Sequence, residues 1–182
     1  MTINNTKIAG FYEIDVPTHV DERGSFEQWF TQWQYAEELN NFQPVQANTS
    51  TSKKGVIRGI HYSQASEGQS KMVICVHGKI RDVAVDLRVD SPTFGQYDIV
   101  DLEGGSGKVS FIDIGLGHAF EVLSDSATII YLLSSKYSPF FEKEINPLDP
   151  NIGIDWITKN PILSEKDRNA QSFQDYIDMK WQ

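Results

Sequence analysis

The chain has 182 residues, 40% of them hydrophobic and 23% charged, enough for a real core in one domain spanning 1–182. Its net charge of −9 argues against general binding to nucleic acid or anionic membranes, although a few local cations suffice for an anionic small ligand. A single cysteine permits no intramolecular disulfide, no charged-then-apolar leader opens the chain, and no apolar run approaches the roughly 20 residues that span a bilayer, so a cytoplasmic protein is expected.

Residues 11–16 alternate weakly and predict a strand, and Gln32 to Leu39 predicts a helix with Trp33, Ala36 and Leu39 turned inward. From Gln46 the pattern changes to short β segments. Residues 55–62 form one; 71–76 and 80–87 form two more, joined by His77-Gly78-Lys79, a short hairpin connection with glycine where positive φ is easy. Cys75 sits in the apolar run Met72–Val76 and reads as a buried, inert thiol. Segments 97–102, 109–114, 119–123 and 127–134 continue the series, and Gly104-Gly-Ser-Gly107 reads as a flexible turn, since no helix pattern follows it. Ser164-Glu-Lys-Asp-Arg168 starts a helix, and the extreme C-terminus, which is polar, is expected to be loose. Many short strands, with no room between them for crossover helices, predict an all-β sandwich or barrel.

Four places carry candidate chemistry. Arg58-Gly59-Ile60-His61 joins a guanidinium, suited to phosphate, with an imidazole, suited to proton transfer. Strict alternation would send Arg58 and His61 to opposite faces, one exposed and one in the core, unless Gly59 marks a bulge. Gly115-Leu-Gly-His118 is either a loop that lowers a histidine onto a ligand or a turn before a solvent-facing one. Tyr131, between apolar neighbours, is a core phenol tied to backbone or a proton donor. Asp167, three residues after Ser164, is a helix-start residue or a carboxylate that orients a histidine. The four histidines are isolated, with no pair at i, i+2 or i, i+4, so no metal site is expected; dinucleotide, P-loop and Gly-x-Ser-x-Gly motifs are missing.

Taken together and in order, Asp21-Glu-Arg-Gly24, Asn48–Lys54, Gly55–His61, Asp82–Arg88, Ser91–Gly95, Gly115–Phe120, Tyr137-Ser-Pro139, Ile154-Asp-Trp156 and Leu163–Asp167 resemble the dTDP-4-dehydrorhamnose 3,5-epimerases, over about residues 11–168. The resemblance implies a cupin-type double-stranded β-helix (jelly-roll) barrel with a few short peripheral helices, a homodimer, and no cofactor. It implies His61 as base, Asp167 as its carboxylate partner and Tyr131 as the acid on the opposite face of the sugar. It places Lys71 and His118 near the sugar and its C4 carbonyl oxygen, and Arg23 and Arg58 on the diphosphate, Arg23 from the partner subunit. Gln46 and Asn48 match positions near the nucleotide and sugar, Gln28 one near the base, and Tyr137 a substrate contact. The implied substrate is a 4-keto-6-deoxy-sugar on a diphosphonucleoside, by default thymidine, epimerised at carbon 3, carbon 5 or both.

The chain departs from the family pattern at Gln28, Ser63, Asp113, Ala119 and Leu132. These changes bear on which sugar is taken and which carbons invert. Two other activities fit the same residues: a nucleotide-sugar 3,4-ketoisomerase, which delivers the proton to another carbon, and a non-catalytic nucleotide-sugar-binding protein.

Overall fold

The computed structural model describes residues 2–32 and 38–180. A six-stranded antiparallel sheet runs in the order β1 (Thr2–Asn5), β2 (Phe11–Asp15), β10 (Lys108–Ile112), β7 (Lys71–His77), β12 (Ser126–Leu133), β5 (Gln46–Lys53). A five-stranded sheet runs β13 (Glu142–Glu144), β6 (Ile57–Ser63), β11 (Leu116–Val122), β8 (Lys79–Asp86), β9 (Tyr97–Glu103). β3 (Thr18–Asp21) and β4 (Gly24–Glu27) form a separate hairpin, and two short helices follow, α1 (Glu165–Arg168) and α2 (Phe173–Lys180). The chain is therefore nearly all β, a jelly-roll barrel of two facing sheets.

Three apolar layers explain why the strands form where they do. Between the sheets lie Val73, Ile112 and Ile129 from one and Ile80, Ala84, Phe120 and Val122 from the other. The opposite face of the six-stranded sheet, with Met72, Ile74 and Phe111, is covered by Leu39 and Phe42 and flanked by Trp29 and Phe30. The outer face of the five-stranded sheet, with Ile57, Ile60, Val83 and Val85, is covered by Ile152, Trp156, Phe173 and Tyr176. A strand buried on both faces reads as a continuous apolar run, as β7 does, rather than as an alternation. Its Cys75 is buried, with the thiol donating to the His77 carbonyl at 3.1 Å.

Three stretches are not as the sequence alone reads them or lie in part outside the described residues. Of the helix expected over Gln32–Leu39, Trp33 and Ala36 lie outside the described residues, while Leu39 is buried in a turn. A second helix that the sequence reading does not name, α2, docks Phe173 and Tyr176 against the sheet, and the last two residues of the chain lie outside the described ones. Ser172 and Asp175 cap α2 reciprocally, the Ser172 hydroxyl accepting from the Asp175 N–H at 3.0 Å and the Asp175 carboxylate accepting from the Ser172 N–H at 3.1 Å. Finally, His118 lies within β11 and is buried, not on a loop or in solvent, because β6 and β8 pair on either side of it.

Candidate active site

A bulge in β6 builds one wall of the site. His118 of β11 pairs with His61, but Phe120, two residues on, pairs with Arg58, three residues back, so β6 carries one extra residue there. That residue is Gly59. Its φ is +114°, and a Cβ on it would lie 2.4 Å from the His118 carbonyl oxygen and 2.7 Å from Ala119 Cα, so no side chain fits. The extra residue restores the parity that strict alternation would lose, and Arg58 and His61 line the same cleft.

His61 Nε2 lies 2.7 Å from Asp167 Oδ1. The histidine side chain is 38% exposed and the carboxylate 4%, so the base is reachable and its partner is not. Ser164 caps α1 by accepting the Asp167 N–H at 3.0 Å, so helix-start and histidine-orienting roles coexist in one residue. Burial acts to raise the Asp167 pKa, but hydrogen bonds and charge from His61, with further hydrogen bonds from Ser164 and Gly59, hold it below the usual carboxylate value.

The facing wall comes from the other sheet. Ser110, Val73, Tyr131 and Asn48 are consecutive register partners across β10, β7, β12 and β5, and Ile112, Lys71, Leu133 and Gln46 form the next row. Register partners and residues two apart share a face. Asn48, Lys71, Leu133 and Tyr131 accordingly line the cleft of about 400 Å³ that holds His61 and Arg58. Tyr131 is half-buried, and among the described residues its hydroxyl has no backbone tie and is not sealed from the cleft. Lys71 is buried; desolvation lowers its pKa against the opposing fields of Glu142 and Asp82.

The remaining predicted residues divide into three groups. Tyr137 lines the cleft, and its backbone N–H donates to Gln46 Oε1 at 2.9 Å, while Gln46 Nε2 donates to Asn48 Oδ1 at 3.0 Å. His118 lies behind the wall, its Nε2 2.7 Å from Asp82 Oδ1. Arg23 and Gln28 are not brought into this cleft. Arg23 sits at the tip of the β3–β4 hairpin, paired to Asp21 at 2.5 Å, and Gln28 is exposed just past β4. Sequence reasoning missed Gln69, Glu142, Glu144 and Lys166, which also line the cleft. Glu142 accepts from Gln69 Nε2 at 3.1 Å, and Glu144 pairs with Lys166. No signal in the sequence marked the two glutamates; they reach the cleft because the three-residue strand β13 pairs with β6 and sets Glu144 opposite His61.

Among the described residues no three His, Cys, Asp or Glu side chains gather to hold a metal ion, and no helix is long and apolar enough to cross a membrane. The family model described as dTDP-4-dehydrorhamnose 3,5-epimerase matches residues 5–175. A dTDP-4-dehydrorhamnose 3,5-epimerase of Mycolicibacterium smegmatis is 43% identical over 173 residues, 94% of this chain and 85% of that protein. A dTDP-4-dehydrorhamnose 3-epimerase of Streptomyces niveus is 41% identical over 171 residues, 93% of this chain and 83% of that protein. The crystal structure of a 4-keto-6-deoxy sugar epimerase from the novobiocin biosynthetic gene cluster of Streptomyces spheroides superposes with a TM-score of 0.95 at 39% identity, covering 99% of this chain and 91% of that one.

Proposed function

The chain belongs to the dTDP-4-dehydrorhamnose 3,5-epimerase family, and from that premise we propose that it inverts carbon 3, carbon 5 or both of a thymidine-diphosphate 4-keto-6-deoxy-sugar, in deoxysugar biosynthesis of the rhamnose type. One observation carries this: an oriented base, His61 with Asp167, and a phenol, Tyr131, face one cleft from different sheets. Inversion requires this placement, because the proton must leave one face of the carbon and return to the other.

A C–H beside a ketone is a weak acid whose ionisation puts negative charge on the carbonyl oxygen. His61 takes the proton, and Lys71, in a largely dry pocket, donates to the enolate oxygen. Tyr131 returns a proton to the opposite face. Solvent then reprotonates the phenolate and accepts the proton held by His61, so substrate and product have the same composition. These steps call on no metal or organic cofactor. Arg58, exposed at the cleft and steadied by its Nε donating to Ser52 Oγ at 3.0 Å, takes the diphosphate; Asn48, Gln46 and Tyr137 take the sugar and nucleoside.

The active form is a homodimer. The β3–β4 hairpin that carries Arg23 also exposes Val20 and Phe26, one on each face of the ribbon, since Phe26 pairs with His19 and Val20 with Ser25. Docked on a second copy, the hairpin buries these side chains and brings Arg23 and Gln28 to the partner's cleft.

The test is incubation with dTDP-4-keto-6-deoxyglucose in D₂O, following the sugar protons by NMR. Deuterium at carbon 3, carbon 5 or both, with inverted product, is the expected result. Exchange with a 3-keto product makes the protein a ketoisomerase; binding without exchange makes it a binding protein.

A further inference from the structure

Two ties hold α1 to the sheet beside the base, and the reaction above uses only one of them. Asp167 reaches His61 on β6, and Lys166, the residue before it, pairs with Glu144 on β13. Glu144 and His61 are themselves register partners. Their neighbours Ile60 and Ile145 exchange both backbone hydrogen bonds, at 3.0 and 3.1 Å. Glu144 and His61 are therefore the non-hydrogen-bonded kind of cross-strand pair, in which side chains sit closest. All four side chains line the cleft. A helix of four residues has little hold on its own direction, because only the N–H groups of Arg168 and Asn169, on the carbonyls of Ser164 and Glu165, close its turn.

We propose that Glu144 and Lys166 are a positioning pair for His61: their tie fixes α1, and with it Asp167, while the ammonium cancels the carboxylate that β13 sets beside the imidazole. The Glu144 side chain is only 15% exposed. A carboxylate so placed without a counter-ion favours the imidazolium and withholds the free base. Lys166 stays charged for this task. Its hydrogen bond to Glu144 holds the ammonium above the usual lysine value against desolvation, and the fields of Glu144, Tyr137 and Asp167 add to that.

The other charged or titratable groups around His61 are Asp167 of α1, Glu142 of β13, Lys71 of β7 and Tyr131 of β12. Arg58 shares its strand, His118 pairs opposite it in β11, and Tyr137 lies between β12 and β13. None of them differs among the proteins compared below, so their combined field is a constant background. The proposal rests on the reading of His61 as the base for its kinetic consequence, but not for its effect on the ring.

The two members of the pair act with opposite sign, which a merely structural tie cannot do. Lys166→Met leaves Glu144 unopposed, and the acid limb of kcat/KM is expected to move up by about half a pH unit. Glu144→Gln leaves the ammonium unopposed, and the limb moves down, by less, since a freed lysine swings into solvent. The double variant, Glu144→Gln with Lys166→Met, returns the limb to within about 0.2 of wild type, and Lys166→Arg, which keeps the charge, leaves it in place. Both phosphates of the substrate are esterified and lose no proton near neutrality, so the limb belongs to the enzyme. Nitrogen-15 NMR of the His61 ring, titrated in the ligand-free proteins, reads the same shifts without turnover. Opposite shifts there in a protein that epimerises nothing support the pair and remove the epimerase reading. No shift in either single variant, or shifts of the same sign in both, overturns the pair even if turnover falls.

Discussion

Asp167 does two jobs with one short side chain, and its charge makes both measurable. Its pKa is held below the ordinary carboxylate value of about 3.9. A depressed carboxylate contributes stability that is fully present above its unfolded value and is lost as pH falls through the lower, folded one. Asp167→Asn is therefore expected to be less stable than wild type at pH 6 and to converge with it below about pH 4, by chemical denaturation across that range. The same variant leaves His61 without an oriented partner, and turnover falls by at least about 10-fold. His61→Asn removes the proposed base outright and is expected to lower the rate at least about 100-fold while the chain stays folded. Near-wild-type turnover in a folded His61→Asn protein rules out His61 as the base. Tyr131→Phe is expected to impair inversion more than solvent exchange at the acidic carbon; equal loss of both in the D₂O experiment makes Tyr131 more than the returning acid.

At the scale of elements, what was legible in the chain depended on burial. Strands covered on both faces along most of their length, β7, β8 and β11, carry apolar runs, and none of the three is an edge strand. The β3–β4 hairpin and the edge strands β1 and β13 are short and largely uncovered, so little hydrophobic pattern marks them. Of the site, His61, Tyr131, Asp167, Lys71, Asn48 and Tyr137 were nameable from motif order, but Glu142, Glu144 and Gln69 reach the cleft through pairing with β6 and through the Gln69–Glu142 bond, which no local pattern encodes. Gly59 was readable as a possible bulge; only its closeness to His118 and Ala119 shows that it is obligatory. Gly59→Ala is thus expected to destabilise by more than about 2 kcal/mol and to abolish activity, because relief of the clash must move β6 off β11 and part Arg58 from His61. A second element-scale prediction concerns the turn after β8. Asp86 is buried, which acts to raise its pKa, yet it accepts from Arg88, Ser91 and Thr93 and is brought down to about 2. A shift of that size corresponds to about 2 kcal/mol of stability. It is present above about pH 4 and lost as pH falls through about 2, so Asp86→Asn should cost roughly that much at neutral pH and little at pH 2.

At the scale of the whole molecule, the question is whether one chain owns a complete site. The cleft of a single chain contains Arg58 and Lys166 as exposed cations, while Arg23 stands on a projecting hairpin, held by Asp21 and 85% exposed. A long side chain paired only to its neighbour two residues away gains little from that surface ion pair, and it is free to exchange Asp21 for a diphosphate carried by another subunit. In the proposed two-fold dimer the exchange is reciprocal, with each hairpin assigned to the other chain's cleft. This predicts intersubunit complementation. Arg23→Ala and His61→Asn should each be nearly inactive as pure dimers, one lacking the diphosphate contact and the other the base. Unfolded together and refolded as a mixture, they form heterodimers in which one cleft joins the His61 of the first chain to the Arg23 of the second, while the other cleft carries both defects. Random assortment leaves about a quarter of all clefts intact, so the mixture should regain roughly that fraction of wild-type turnover. Recovery that tracks the heterodimer population places Arg23 across the interface. A mixture as inactive as its parents, with heterodimers demonstrably present by mass spectrometry, confines Arg23 to its own chain and removes the hairpin from the site.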